Sequence, residues 1–487
     1  MAQNERRIKK SVTSNLAELT LKTTFEDLSD ATVRETKRHI FDTLSAGLCA
    51  LSMEKADILL ELAEEEGGKP VCSIPGTEIK TSPLQAAFNT GELYMSADYE
   101  PVALNTAHLI PMVQGAVLPI AERENVTGEE LITATATGYE IAARLAMALN
   151  PLIEEREETD NIAPVQGFSY AALGAAAGAG KLLNLNKDEL LNALGVAGYT
   201  AQVPSLYKWT ITRPTNMVKF SSSGWIAEAG LKAALLAEKG FTGDKEVLDG
   251  DYGFWRFWGA DECEWDVLTH GQGGEFYIAD GGSYKLWPCC SLYRPHLWMV
   301  DKLVEEHELT SDEIDELVMR IHPIPANCEN YTTYTVDNEM QAGFAGRYPI
   351  TASLLDIEPG AEWLQPENFT DPEVKAFMKK IRIEEEPRVT EVIKENEDDA
   401  EAGYERMPAS VEITAKDKTV SEYIEYAKGD MWAPQEELRA SNEELRQKFY
   451  INAEGILPED QQSAALDVLT DLETFKDAAT VVDLFTP

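Results

Sequence analysis

Apolar residues recur through most of the first 270 positions at intervals of three and four, the spacing that keeps them on one side of an α-helix. Val33, Ile40, Phe41, Leu44 and Leu48 make such a stripe and predict a helix over Ala31–Ala50. Thr127 followed by Glu130 reads as a capping box, opening a helix that carries Leu131, Ile132, Ile141 and Leu145 as far as Leu149. Asn186 with Glu189 opens another, bearing Leu190, Leu191 and Leu194, and Trp225 to Lys239 predicts a long apolar helix stopped at Gly240. The pattern changes near residue 270, where glycines at 271, 273, 274, 281 and 282 mark a flexible boundary.

Beyond it, helix and strand alternate. Thr310–Glu313 leads into a strand-like run, Leu317–Ile321, while Ile381–Ile383 and Val411–Thr414 alternate apolar and polar as half-buried strands do. Lys416–Lys418 predicts a hairpin turn between Val411–Ala415 and Val420–Tyr426, and the acidic run Glu391–Glu405 reads as a solvated loop. From Pro434 the chain is helical again, with a capping box at Ser441 and Glu444. The fold class is mainly α: a large all-helical domain (1–270), an inserted α+β domain (271–430), and a helical return (431–487) to the first. Substrate sites favour clefts between such units, and the glycines at 271–282 permit a hinge.

Charge changes the picture more than size does. Asp and Glu outnumber Lys and Arg by 85 to 42, a net charge of −43 spread along all 487 residues. Such a field repels nucleic acid and anionic membranes, which argues against both as partners. Self-repulsion of this size is relieved when the Debye length falls to about 3 Å in molar salt, so the composition predicts a salt-rich cytoplasm. The six cysteines form no CxxC pair and no disulfide framework. Met1–Lys10 is polar and basic with no apolar stretch of signal or membrane length after it, again predicting a cytoplasmic protein. The glycine-rich segment Gly174–Lys181 fails as a phosphate loop. Ala175 stands where the first glycine is needed and Leu182 where Ser or Thr should follow the lysine. Its small residues predict close helix packing instead, and the scattered histidines show no metal-ligand spacing.

Several phrases, in order, resemble the MmgE/PrpD family, whose members include 2-methylcitrate dehydratase, cis-aconitate decarboxylase and iminodisuccinate epimerase. They are Phe41-Asp-Thr-Leu-Ser-Ala-Gly47, Ala97-Asp-Tyr99, Gly115-Ala-Val-Leu-Pro119, the stretch Val126–Leu145, and Gly240–Phe254. Lys285-Leu-Trp-Pro-Cys-Cys290, Gln341–Ala352 and Glu443–Phe449 follow. The resemblance spans about residues 25–480. It implies a helical domain with an α+β lid, a homodimer, a small polycarboxylate substrate, and neither metal nor organic cofactor.

The resemblance also carries a site. Asp98 matches the family's opening acid, with Glu100 and Pro101 where two further acids usually stand. His108 is the candidate loop histidine, although an alignment anchored on Gly115–Pro119 places Met112 there. Lys219, shortly before Gly224-Trp225, is the candidate to hold a carboxylate or stabilise enolate-like charge. Two family histidines are replaced, by Val165 and by Arg294, with His296 two residues beyond the second. Arg294, His296, Arg347 and Lys285 are candidate substrate-binding residues, and Tyr331 or Tyr334 a proton donor; Cys289 and Cys290 read as packing residues. In this scheme Asp98 orients His108, which moves a proton beside a carboxylate. The implied activity is a lyase, either dehydratase or decarboxylase. An epimerase on the same scaffold and a catalytically silent acid-binding protein are the rivals.

Overall fold

A computed structural model describes residues 11–103, 107–149, 167–202, 206–219, 222–260, 262–271, 275–279, 282–395 and 406–487. Val165, residues 272–274, 280 and 281 of the glycine-rich 271–282 boundary, and the greater part of the 391–405 acidic run lie outside these residues. The beginning of that run continues a helix, Pro387–Glu395, where the charge pattern predicts a loop. Among the described residues no helix is long and apolar enough to cross a membrane.

The protein is mainly α. Its body is built from α1 (Val12–Lys22), α2 (Asp30–Ala50), α3 (Glu54–Glu66) and α4 (Pro83–Ser96), and from α5 (Ile110–Glu124) and α6 (Gly128–Leu149). It continues with α7 (Ala171–Leu182), α8 (Lys187–Thr200) and α9 (Ser223–Glu238). Helix starts follow the sequence signals. Thr127 and Glu130 cap α6, and Asn186 and Glu189 exchange side-chain and backbone hydrogen bonds at the start of α8. The small residues of α7 let helices approach closely, since a Cβ at Gly174 would lie 2.4 Å from the Gly138 carbonyl of α6.

Helix α2 departs from the stripe its periodicity predicts. Every residue from 35 to 50 is buried, polar ones included, because α4, α6 and two C-terminal helices surround it. Several of its polar groups find partners inside the fold: Lys37 Nζ reaches Thr470 O at 2.6 Å, and Arg38 reaches Ala440 O at 2.5 Å. Burial without such partners would cost several kcal/mol per charge, about 3–5 where one partner is missing.

After the body a short strand, β2 (Gly282–Ser283), pairs antiparallel with β1 (Val102–Ala103), Val102 opposite Ser283. Helix α10 (Arg294–His307) then packs on a four-stranded sheet of order β4-β3-β5-β6. Its strands are β3 (Ile314–Ile321), β4 (Ile381–Glu385), β5 (Ala409–Ala415) and β6 (Lys418–Ile424). Strands β3 and β4 run parallel and the other pairs antiparallel. The β5–β6 turn is tighter than the sequence predicts: Lys418 pairs with Ala415, leaving Lys416 and Asp417 as the turn, with Lys416 at φ +55°. Helices α11 (Asn442–Ala453) and α12 (Glu459–Thr470) return to α2, where Phe449 lies 5.0 Å from Phe41, ring to ring.

Candidate active site

Four residues singled out in the sequence meet at one buried point. Asp98, just past the end of α4, receives Lys219 Nζ at 2.5 Å on Oδ1 and Lys285 Nζ at 3.0 Å on Oδ2. His108 turns Nε2 toward the same carboxylate at 3.8 Å. Asp98 and Lys219 are 2% exposed, His108 5% and Lys285 0%.

Local structure explains the convergence. Lys219 Nζ also donates to the Met95 carbonyl at 2.7 Å, at the negative end of α4, where a cation is favoured. The loop carrying this lysine is fixed by Asn216, whose side chain accepts from the Val218 amide at 3.1 Å. Beyond the loop, Glu92 of α4 accepts from Ser222 Oγ and from the Gly224 amide, and pairs with Lys55 at 2.6 Å. The β1–β2 pairing lays Lys285 alongside the 98–103 segment, and its ammonium reaches the Asp98 carbonyl at 3.0 Å as well. Asp98 (φ +53°) and Lys219 (φ +57°) both hold left-handed backbone. For residues other than glycine this is a strained state, typical of functional sites.

The partner of His108 differs from the sequence expectation. Nδ1 hydrogen-bonds Glu100 Oε1, and Asp98 is instead committed to the two lysines. Glu100 is wholly buried, and Oε2 has no hydrogen-bond partner. Burial alone would raise its pKa, but Lys219, His108 and Lys285 outweigh that and hold the carboxyl well below its usual range. Asp98 is likewise lowered, burial being outweighed by Lys219, Lys285 and His108. Burial, with help from Lys285 and Lys219, lowers His108 against the pull of Glu100, so the imidazole is neutral near pH 7. Lys219 is lowered by burial, with Asp98 and Glu100 opposing.

A second buried pair sits behind the first. Lys448 of α11 contacts Asp42 of α2 at 2.8 and 2.9 Å, and also the carbonyls of Tyr99 (2.6 Å) and Lys285 (3.0 Å). It thereby ties the residue between Asp98 and Glu100 to the Lys285 segment. The sequence held a signal for this: Leu445, Lys448, Phe449 and Asn452 share one helical face, putting a lysine where the pattern demands burial.

The remaining candidates lie in the lid. Tyr331 is buried against Phe344, rings 5.9 Å apart, and Lys219 Nζ is 5.9 Å from that same Phe344 ring. Burial, then Cys290, Cys328 and Asp98, push the Tyr331 phenol well up, which keeps it protonated. Arg294 is bound elsewhere, to Asp430 at 2.9 Å, Lys428 O at 3.1 Å and Ser283 Oγ, and so braces β2. His296 Nε2 donates to Arg320 O, 2.8 Å away, and burial lowers the ring to about 4. Arg347 reaches Ile381 O at 2.9 Å and Thr332 O, and stacks 3.8 Å over Tyr334. Burial pushes the thiols of Cys289 and Cys290 up, the latter to about 12, which suits packing rather than nucleophilic work. Met112 is a core residue of α5.

Asp98, Glu100 and His108 also offer ligand atoms within 4.8 Å of one another, as a metal site would. Two ammonium groups already occupy both oxygens of Asp98, however, and balance the two carboxylates. A divalent cation there would have to displace them. The arrangement suits proton transfer beside an anion instead: a neutral imidazole next to two fixed positive charges.

Residues 14–265 match the family model of the MmgE/PrpD N-terminal domain, and 287–474 that of the MmgE/PrpD C-terminal domain. The chain is 24% identical to cis-aconitate decarboxylase of Mus musculus, over 98% of this chain and 93% of that protein. Identity to the Homo sapiens protein of the same name is also 24%, with coverage of 98% and 94%. It is 23% identical to 2-methylcitrate dehydratase of Salmonella typhimurium, over 89% of this chain and 88% of that one.

Proposed function

The chain belongs to the MmgE/PrpD family, and we propose that it is a lyase that transfers a proton beside a carboxylate of a small di- or tricarboxylic acid. The observation that carries this reading is the convergence of Lys219 and Lys285 on one buried carboxylate with the His108 ring alongside. A C–H bond next to a carboxylate yields its proton only if the charge that builds on the carboxylate oxygens is met as it forms. The two ammonium groups supply that, and Asp98 keeps them charged and aligned until substrate arrives. His108 takes the proton. The electron pair left on carbon spreads toward the lysines, then forms the double bond as a β-hydroxyl leaves with a proton from an acid, the role we assign to Tyr331. Relatives named as cis-aconitate decarboxylase and 2-methylcitrate dehydratase support a tricarboxylic acid as substrate.

Carboxylate binding falls to the lysines in this reading. Arg294, Arg347 and His296 act in it as braces of the lid, given the partners they already hold. The engagement of Arg294 favours one second reading, an epimerase, because returning the proton to carbon needs no acid for a departing hydroxyl. A homodimer working in a salt-rich cytoplasm completes the proposal. It is supported by the half-exposed Val218 and Trp225 beside the lysine loop and by the net charge of −43.

Proton NMR in molar KCl and D₂O, with 2-methylcitrate, citrate, cis-aconitate and iminodisuccinate, tests the reading. A new product from one acid supports the lyase, and deuterium entering an otherwise unchanged acid supports the epimerase. No change in any of the four, with the protein shown folded, would overturn both.

A further inference from the structure

Nothing in the sequence pairs His108 with Glu100, yet that is the contact the fold builds. Glu100 stands two residues beyond a strained backbone turn at Asp98 and is followed by β1, so strand pairing fixes where its side chain points. Its carboxylate is ionised, and an ionised carboxylate only accepts hydrogen bonds. The proton of the Glu100–His108 bond therefore belongs to Nδ1, and the lone pair of the neutral ring is on Nε2. Nε2 is also the nitrogen turned toward Asp98 and its two lysines. Oε2 lacks a hydrogen bond, and Oε1 accepts from the imidazole, so hydrogen bonding ties Glu100 to His108.

We propose that Glu100 is the positioning residue of the proton-transferring histidine, holding His108 as its Nδ1–H tautomer so that Nε2 takes and returns the substrate proton. This rests on the reading of the site as a proton-transfer centre. When Nε2 accepts a proton the ring becomes an imidazolium, and Glu100 stabilises that charge through the bond already in place. Asp98 is thereby left to the lysines. The division of labour also explains why two acids are retained here: one serves the base and the other the anion-binding cations.

Two experiments test this, the first without substrate. With six histidines in the chain, long-range proton–nitrogen NMR of ¹⁵N-histidine protein resolves ring tautomers, and His108→Gln assigns the signal. The expected result is Nδ1 protonated and Nε2 bare at pH 7.5, with Glu100→Gln disturbing that pattern. An Nε2–H tautomer in the wild type, or an unaltered spectrum in a folded Glu100→Gln, would overturn the proposal. So would loss of the Nδ1 proton to one equivalent of Zn²⁺ held through dialysis.

The second reads turnover of whichever acid the wild type converts. Glu100→Gln should lower kcat by roughly 10²–10⁴-fold with KM little changed, and move the acid limb of kcat/KM to lower pH because a charge that favours imidazolium is gone. Glu100→Asp keeps the charge, so its acid limb should stay near that of the wild type, and it serves as the test should the glutamine variant not fold. A purely structural Glu100 would lower the melting temperature and leave the acid limb in place. If no acid is turned over but the Nδ1–H tautomer is found, the functional reading fails and the positioning stands. Turnover with the other tautomer gives the reverse.

Discussion

Replacing Lys219 by Met separates chemistry from folding at this site. The ammonium lies 2.5 Å from Asp98 and 2.7 Å from the Met95 carbonyl, 2% exposed. Methionine fills much the same volume and leaves out only the charge. Removing one donor to a developing oxyanion typically costs about 10²–10³ in kcat, equivalent to ~3–4 kcal/mol of transition-state stabilisation. The folding cost should be smaller than the about 3–5 kcal/mol of breaking a buried pair, because Asp98 keeps Lys285 at 3.0 Å. Backbone strain at φ +57° is the same for Lys and Met, so it cancels, whereas glycine would relieve it and confuse the comparison. Initial rates by NMR on the acid the wild type converts, together with urea unfolding of both proteins, give the two quantities separately. Lys219→Arg keeps the charge and should retain more activity than the methionine variant. A folded Lys219→Met with kcat/KM equal to the wild type would refute the placing of substrate charge at this lysine.

Lys448→Met strands Asp42, and urea unfolding should show a loss of about 3–5 kcal/mol. Adding Asp42→Asn should recover part of it, and a single variant as stable as the wild type would show that the pair is solvated. Burial lowers His39, His296 and His322 to about 4 in the folded protein, against 6.5 for the free side chain. Between those values the unfolded chain binds more protons, so each histidine contributes stability above pH 6.5 that is lost as pH falls toward 4, by at most roughly 3 kcal/mol each. Melting temperatures in molar KCl should thus drop from pH 7 to pH 5; a flat profile would contradict the burial of these rings. The net charge of −43 predicts a melting temperature that rises steeply from 0.1 M to 2 M KCl as the Debye length falls from about 10 Å to a few Å, and indifference to salt would remove the halophilic reading.

Much of the fold is legible in the sequence, and the boundary of legibility has a physical cause. Capping boxes at Thr127, Asn186 and Ser441 are local, so three or four residues suffice to specify them. Alternation around Val411 and Ile413 is equally local, and β5 appears where it predicts. The burial of α2 on all sides is not local: it depends on Lys37, Arg38 and Asp42 finding partners more than 400 positions away. Glu100 stands in the sequence only as one of the acids of the resemblance, and its pairing with His108 is not legible there. Its role is set by a contact with a ring eight residues on, across a turn whose backbone no periodicity describes. Arg294 shows the converse, a residue type that suits carboxylate binding but already has a carboxylate, Asp430, within the fold.

A chain this acidic binding an acidic substrate looks contradictory only if one field is considered. The −43 charge is spread over a surface in contact with solvent, and in molar salt its reach shrinks to about 3 Å. Lys219 and Lys285 are buried, and ions in solution do not screen them at that range. At low salt an approaching polycarboxylate meets the repulsion of the whole surface first. In the proposed reading, high salt collapses that barrier while the attraction of the two ammonium groups persists, so the electrolyte filters out the long-range interaction and leaves the short-range one. The balanced cluster at the centre, two ammonium groups against Asp98 and Glu100, is what makes the separation possible. It holds its charges against burial by mutual pairing, without help from a surface that carries the opposite sign of what the substrate needs.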